Sequence, residues 1–196
     1  MNLFKSRGKF EYYLLEYIQS TGSQYINTGI KVVQNTNIET AFQYTGNLST
    51  AFDDFFGVTY EGSAAKSVLL RNRAGGFECF FGKSGGTGAD FDKHTLSIKS
   101  SGFYLDDTLL FTKGSLTTQN ITMPIFATNQ NGTIQNKGHF KVFYFKIYNN
   151  TTLVRDFVPV KRISDKAVGL YDKVNNKLYT RSGSGSFITG KIIGGF

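Results

Sequence analysis

The chain of 196 residues has few of the residue types on which several kinds of function depend. It contains no tryptophan, one cysteine, two histidines and two prolines. A single cysteine excludes an intrachain disulfide. Cys79 lies among phenylalanines in Phe77–Phe81, which predicts a buried, unreactive thiol. Neither His94 nor His139 has neighbours in the pattern of a zinc site or a hydrolase triad, so we predict no metal and no cofactor.

Carboxylates are also few, and their spacing does not suit glycoside hydrolysis. Only five glutamates occur, and none begins a Glu-x-Asp-x-x-Glu pattern, which would place three carboxylates on one face of a strand. Adjacent aspartates, as in Asp53-Asp54 and Asp106-Asp107, point to opposite faces of a strand. Asp90 and Asp92 share a face, but calcium takes about six or more oxygen ligands. We therefore predict no catalytic residues and no enzymatic activity.

The charge has one dominant sign, and long hydrophobic runs are missing. The net charge of +8 favours acidic partners, but no run of lysine and arginine exceeds two residues, which argues against a nucleic-acid platform. No stretch is long enough to cross a membrane, so no membrane insertion is expected. The amino terminus lacks the apolar core of a secretory signal, so export by the general secretory route is not expected.

What the sequence does have is 19 phenylalanines, 11 tyrosines, 22 glycines and apolar residues that alternate with polar ones. Alternation with a period of two predicts strands, and turn signals about every ten residues are typical of a sandwich. Asn149–Thr152, Ser101-Gly102 and Asp106-Asp107 are predicted hairpin turns, and Gly85–Gly88 a flexible loop. Predicted strands cover residues 14–19, 24–27, 37–44, 52–60, 67–72, 77–81, 95–99, 103–105, 108–111, 121–128, 139–148, 153–160 and 177–180.

The same alternation predicts which side chains form the core. Within residues 142–148, Phe143, Phe145 and Ile147 share one face, which is expected to pack between sheets. The full predicted core is Ile26, Ile38, Phe42, Phe56, Leu69, Phe80, Leu96, Ile98, Phe143, Phe145, Ile147, Phe157 and Leu170.

Two blocks of sequence carry a resemblance to a known family. The first is Leu15–Gly29, with a Ser-Thr-Gly-Ser turn between two short strand-like runs. The second runs from Phe145 through Leu153–Pro159 and Gly169–Asp172 to Asn175–Thr180. These blocks resemble concanavalin A-like lectin/glucanase (LamG-like) domains, which occur in surface and bacteriophage proteins of gut bacteria. The resemblance implies an all-β antiparallel sandwich of jelly-roll type, a fold that serves lectins, glycosidases and structural modules alike.

Residues 14–190 form the expected sandwich, preceded by an N-terminal arm of residues 1–13 and followed by a tail of residues 191–196. The arm is expected to stay disordered until it docks on another virion protein or an identical subunit. Its expected partner-binding residues are Phe4, Lys5, Arg7, Lys9, Phe10, Tyr12 and Tyr13. Candidate ligand-binding residues near predicted loops and strand ends are Tyr60, Arg71, Arg73 and Asn129.

The resemblance implies a non-enzymatic bacteriophage virion component, such as a capsid decoration, fibre or tail protein, that displays a lectin-like domain. The alternatives are a carbohydrate-binding module for host or dietary glycans and, more weakly, a glycoside hydrolase. The expected location is the virion, or alternatively the cell surface or extracellular space, reached by a non-classical route. Sugars stack on flat aromatic rings, so in the absence of tryptophan any glycan site here is expected to depend on tyrosine and arginine.

Overall fold

Two large sheets pack face to face as an antiparallel β-sandwich, which confirms the predicted fold class. The structure, a computed structural model, describes residues 10–60 and 63–196. Its strands are β1 (Tyr12–Leu15), β2 (Ile18–Gln19), β3 (Gln24–Lys31), β4 (Thr36–Tyr44), β5 (Asp53–Thr59), β6 (Val68–Arg73), β7 (Gly76–Phe81), β8 (Ser84–Gly88), β9 (Lys93–Lys99), β10 (Gly102–Leu105), β11 (Thr108–Phe111), β12 (Thr122–Ile125), β13 (Thr128–Gln130), β14 (Thr133–Gln135), β15 (Phe140–Asn149), β16 (Thr152–Arg162), β17 (Val168–Asp172), β18 (Lys177–Thr180), β19 (Ser182–Gly183), β20 (Ile188–Thr189) and β21 (Ile192–Gly195). A short 3-10 helix covers Ala64–Lys66.

The first sheet has the strand order β11-β10-β9-β4-β15-β16-β1-β21, with β17 and β18 continuing from β16, and β2 and β20 from β15. The second sheet has the order β19-β3-β12-β5-β6-β7-β8. A small hairpin, β13–β14, joins it because β13 pairs in parallel with the end of β5. This hairpin matters for function because it stands beside the outer face of the second sheet.

Aromatic rings from both sheets interdigitate in the core. The ring centroid of Phe42 in the first sheet lies 5.1 Å from that of Phe55 in the second, and the ring centroids of Phe145 and Phe56 are 5.3 Å apart. Offset or edge-on contacts at such distances stabilise a core beyond the area that they bury. The predicted core residues that are buried are Ile26, Ile38, Phe42, Phe56, Leu69, Leu96, Ile98, Phe145, Ile147, Phe157 and Leu170.

The core prediction was wrong for Phe80 and Phe143, which are only half-buried, and for Leu69, which is buried on the outer face of the second sheet rather than between the sheets. In β7 the inward side chains are Phe77, Cys79 and Phe81, so Phe80 points outward. In β15 the pairing register with β4 shifts between Val142 and Tyr144. Such a bulge adds one residue to the strand and exchanges its two faces, and this places Phe143 outside.

Two of the three predicted hairpin turns are confirmed by their backbone geometry, whereas the third is shifted by one residue, because Gly102 pairs with Lys99 and the turn residues are Ser100 and Ser101. Asp106 and Asp107 have φ of 46° and 61° between β10 and β11, and Asn150 has φ of 52° between β15 and β16. Asn and Asp tolerate this left-handed region better than most residues. The predicted loop at Gly85–Gly88 was wrong, because these residues belong to β8, which pairs with β7. A Cβ at Gly86 would lie 2.4 Å from the carbonyl oxygen of Phe77, so close sheet packing explains this glycine.

The terminal segments differ from the expected arm and tail. Tyr12 and Tyr13 belong to β1, which pairs with β16 on one side and with β21 on the other. The Tyr12 side chain is 7% exposed, and its ring lies 4.8 Å from that of Tyr171. The expectation that all of residues 1–13 stay disordered is therefore wrong at its carboxyl end. Phe10 is exposed, whereas Phe4, Lys5, Arg7 and Lys9 lie outside the described residues.

Candidate binding groove

A groove of about 370 Å³ crosses the outer face of the second sheet, beside the β13–β14 hairpin. Alternate residues of β6 point into it because successive side chains of a strand project to opposite faces. Its lining is polar and aromatic rather than purely apolar. The lining residues are Phe52, Thr59, Ser67, Leu69, Arg71, Arg73, Phe80, Gln130, Gln135 and Asn136.

Two arginines and one glutamate form an ion-pair cluster in this groove. Glu78 of β7 lies directly across from Arg71 of β6. Arg71 donates from Nε to Glu78 Oε2 at 2.9 Å, and Arg73 donates from Nη1 to Glu78 Oε1 at 3.0 Å. The Arg73 side chain is 51% exposed, whereas that of Arg71 is only 16% exposed. One carboxylate therefore serves two guanidinium groups, and the second of these faces solvent.

Phenylalanine rings hold both guanidinium groups in position. The ring centroid of Phe52 lies 4.7 Å from Arg71 Cζ and 5.3 Å from Arg73 Cζ, and that of Phe80 lies 5.2 Å from Arg71 Cζ. A guanidinium over an aromatic face is attracted by the ring quadrupole. Phe52 is itself 41% exposed, so it also presents an apolar surface to the groove.

A second depression of about 420 Å³ adjoins the first and shares Arg73 and Phe80 with it. Glu78 and residues 84–86 of the edge strand β8 complete its lining. The two depressions together span the sheet from the β13–β14 hairpin to its edge. This length suits a ligand made of several linked units.

Asp54 lies buried beneath the hairpin side of the groove. Its Oδ2 accepts hydrogen bonds from Thr128 Oγ1 and, at 3.1 Å, from Asn136 Nδ2, while Oδ1 has no hydrogen-bond partner among the described residues. Burial raises the pKa of Asp54 to about 6, against the lowering effect of these hydrogen bonds and of Arg71. The Asn136 side chain thus links a buried carboxyl group to the groove lining.

The structure brings together two of the four predicted ligand-binding residues, Arg71 and Arg73. Tyr60 is not among the lining residues, and its ring lies 4.5 Å from Lys66 Nζ. Asn129 is buried and donates from Nδ2 to the carbonyl of Thr122 at 2.9 Å. Phe52, Gln130 and Gln135 were missed by sequence reasoning. No local sequence pattern links Phe52 to Arg71 and Arg73, because Phe52 lies about 20 positions before them in the chain.

Both histidines form hydrogen bonds with aspartate side chains. His139 Nδ1 lies 3.0 Å from Asp53 Oδ2, to which the Tyr44 hydroxyl also donates at 2.8 Å. This network joins the two sheets. A Cβ at Gly22 would lie 2.4 Å from His139 Cε1, so the glycine of the Ser-Thr-Gly-Ser turn makes room for the imidazole ring.

His94 lies between two carboxylates, with Nδ1 at 2.6 Å from Asp106 Oδ2 and Nε2 at 2.8 Å from Asp90 Oδ1. Burial alone lowers the pKa of His94, but the hydrogen bonds to the two aspartates outweigh it and the pKa is raised. Both ring nitrogens thus lie within hydrogen-bond distance of a carboxylate oxygen. Across residues 10–60 and 63–196, no group of three His, Cys, Asp or Glu side chains is arranged to hold a metal ion.

Cys79 is fully buried, and burial raises the pKa of its thiol well above the ordinary value, as expected of an unreactive cysteine. In the part of the chain that the structure describes, no helix has the length and hydropathy of a membrane span.

Comparison with protein-family models found no match, and comparison with curated proteins found none either. The resemblance to concanavalin A-like domains therefore stays a prediction, and the functional argument depends on the groove itself.

Proposed function

We propose that this chain is a non-enzymatic glycan-binding module and that the groove of the second sheet is its binding site. The observation that carries the proposal is that the exposed Phe52 ring, with the guanidinium groups of Arg71 and Arg73 beside it, lines the same groove as the amide side chains of Gln130 and Gln135. Sugar hydroxyls need such donors and acceptors, and the apolar face of a pyranose needs an exposed ring such as Phe52.

The carboxylates of the groove favour binding without hydrolysis. Glycoside hydrolysis uses two carboxyl groups about 5 to 10 Å apart on either side of the scissile bond. Among residues 10–60 and 63–196, Glu78 is the one acidic residue that lines either of the two depressions, and both of its oxygens accept hydrogen bonds from arginines. The negative charge of Glu78 is thus paired with the two arginines. The described lining residues include no second carboxyl group that could act with Glu78 as acid or base.

A panel of neutral and acidic oligosaccharides tests the proposal, with affinities measured by titration calorimetry. We expect at least one glycan to bind, and Phe52→Ala to weaken it severalfold to about tenfold because a stacking surface is lost. Phe91→Ala is the matched control, since Phe91 is similarly exposed at 51% and does not line the groove. An absence of binding across the panel, or equal binding by the Phe52 variant, would contradict the proposal.

A second candidate function is structural, as a virion component. The observation that favours it is the edge strand β21, whose Ile192 and Ile193 are 56% and 54% exposed. Within residues 10–60 and 63–196, β21 pairs only with β1, and an uncharged apolar edge is prone to pair with another chain. Light scattering of the wild type and of Ile193→Lys tests this role. Self-association that the variant loses would support it, and two monomeric proteins would count against it.

A further inference from the structure

Arg73 has one edge of its guanidinium group unused. Of its side-chain nitrogens, only Nη1 has a hydrogen-bond partner in the described part of the chain, namely Glu78 Oε1 at 3.0 Å. Nε and Nη2 form the opposite edge, a fork of parallel donors that matches the two oxygens of a carboxylate. The hydrogen bond to Glu78 and the Phe52 ring, whose centroid lies 5.3 Å from Arg73 Cζ, together hold the guanidinium group in place. The edge is therefore positioned before any ligand arrives.

In the described part of the chain, the acidic groups near Arg73 already accept hydrogen bonds from other side chains. Glu78 is shared with Arg71, which binds its Oε2 through Nε and Nη2, each at 2.9 Å. Asp54 is buried on the Arg71 side, beneath Asn136, and its hydrogen bonds come from Thr128 and Asn136. The guanidinium of Arg73, whose side chain is 51% exposed, therefore presents its unused edge to solvent. It also lies at the junction of the two depressions, since Arg73 lines both.

We propose that the groove is specific for acidic glycans and that Arg73 binds the carboxylate of a uronic-acid-type sugar unit at the junction of the depressions. This inference rests on the proposed glycan-binding function and names the class of sugar. The neighbouring sugar units of the glycan extend on either side of this unit, towards Gln130 and Gln135 in one direction and towards Gly85 and Gly86 in the other.

The rest of the lining favours a sugar acid over an acidic peptide. Gln130 and Gln135 carry amides, which both donate to and accept from hydroxyl groups. A chain of acidic residues would instead call for cations along the whole groove, and among the described residues its lining contains only the cations Arg71 and Arg73. One cationic fork among neutral polar groups matches a glycan in which a single carboxylated unit is flanked by neutral units rich in hydroxyls.

The experiment uses matched ligands and matched variants of the full chain. The ligands are an oligosaccharide of about four units with one uronic-acid unit flanked by neutral sugars, its methyl ester, which keeps the shape and removes the charge, and an array of neutral, carboxylated and sulfated glycans. The variants are Arg73→Gln, Arg73→Lys and the control Arg181→Gln. Arg181 is exposed, bonds only to the carbonyl of Gly183 and lies outside the groove, so its variant makes the same charge change elsewhere.

We expect carboxylated glycans to dominate binding to the array and their neutral or esterified forms to bind at least about tenfold more weakly. Arg73→Gln should cause a similar loss for the acid alone, Arg73→Lys a smaller loss, and Arg181→Gln almost none. Melting temperatures confirm that each variant is folded.

Several results would overturn the inference. Neutral glycans bound as tightly as acidic ones would leave the glycan-binding function in place and remove the acid specificity. Equal losses for Arg73→Gln and Arg181→Gln would mean that only overall charge matters. Full affinity in Arg73→Lys, a preference for sulfated glycans, or equal affinity for polyglutamate would each contradict the carboxylate fork. No binding to any glycan would instead refute the function on which the inference rests.

Discussion

Replacing Asp54 by asparagine should stabilise the protein at neutral pH, with an effect that depends on pH. Asp54 is fully buried, and its Oδ1 has no hydrogen-bond partner among the described residues. Asparagine has nearly the same shape, and its carbonyl oxygen can accept the hydrogen bonds that Oδ2 now accepts from Thr128 and Asn136. The variant thus removes the ionisable group while keeping its contacts.

The magnitude follows from the pKa of Asp54, which burial raises from 3.8 to about 6 in the folded protein. Because the folded-state pKa is the higher one, protonated Asp54 favours the folded state, and this contribution is complete below pH 3.8. It is lost as the pH rises through about 6, where the buried carboxylate must carry a charge. The difference of roughly two pKa units corresponds to about 3 kcal/mol of unfolding free energy.

Urea denaturation between pH 3.5 and 8 measures this effect in the wild type and in Asp54→Asn. The free energy of unfolding of the variant, relative to wild type, should rise by about 3 kcal/mol over this range, mostly between pH 4 and 6. The amide places a buried N–H where Oδ1 lies, which adds a constant offset but no pH dependence. Asp92→Asn, in an exposed loop, is the control for the loss of one acidic residue.

A difference that does not change with pH would refute the reasoning, because Asp54 would then ionise alike in the folded and unfolded states. A change of opposite sign would mean that attraction by Arg71 and the two hydrogen bonds outweigh the cost of burial.

Three further predictions concern the rest of the fold. Phe145→Ala should cost about 3 to 5 kcal/mol in chemical denaturation, because the ring is fully buried against both sheets. Gly22→Ala should lower the melting temperature, since φ is +79° and the new Cβ would collide with His139; a Gly88→Ala variant, with open space, should not. His94→Gln should destabilise more at pH 6 than at pH 9, because a raised histidine pKa contributes stability that is lost as pH rises.

Local sequence patterns predicted the strands best where one face is buried and the pairing is regular. Ile38, Phe42, Leu96 and Ile98 follow strict alternation in β4 and β9, and all are buried as expected. The predicted strand over residues 121–128 was less accurate. The structure divides it at Phe126, which is buried and has φ of 68°, a backbone geometry that its residue type does not predict.

For the groove, sequence reasoning found the two arginines but not their surroundings. Arg71 and Arg73 are two positions apart on one strand, so alternation predicts that they share a face. Gln130 and Gln135 come from a hairpin about 60 residues later, and they approach the arginines only because β13 pairs with β5. Such pairing between distant segments depends on the whole topology, which no local pattern encodes.

The sequence by itself determined the all-β class, most of the core, two of the hairpin turns and the exclusion of a disulfide, because each follows from residue type and a period of two. The tertiary structure decided the bulge that turns Phe143 outward, the burial of Asp53 and Asp54, the strand at Gly85–Gly88 and the composition of the groove. These features depend on register, and on which sheet face another segment covers. Both are set by the free energy of packing the complete chain rather than by the preferences of its parts.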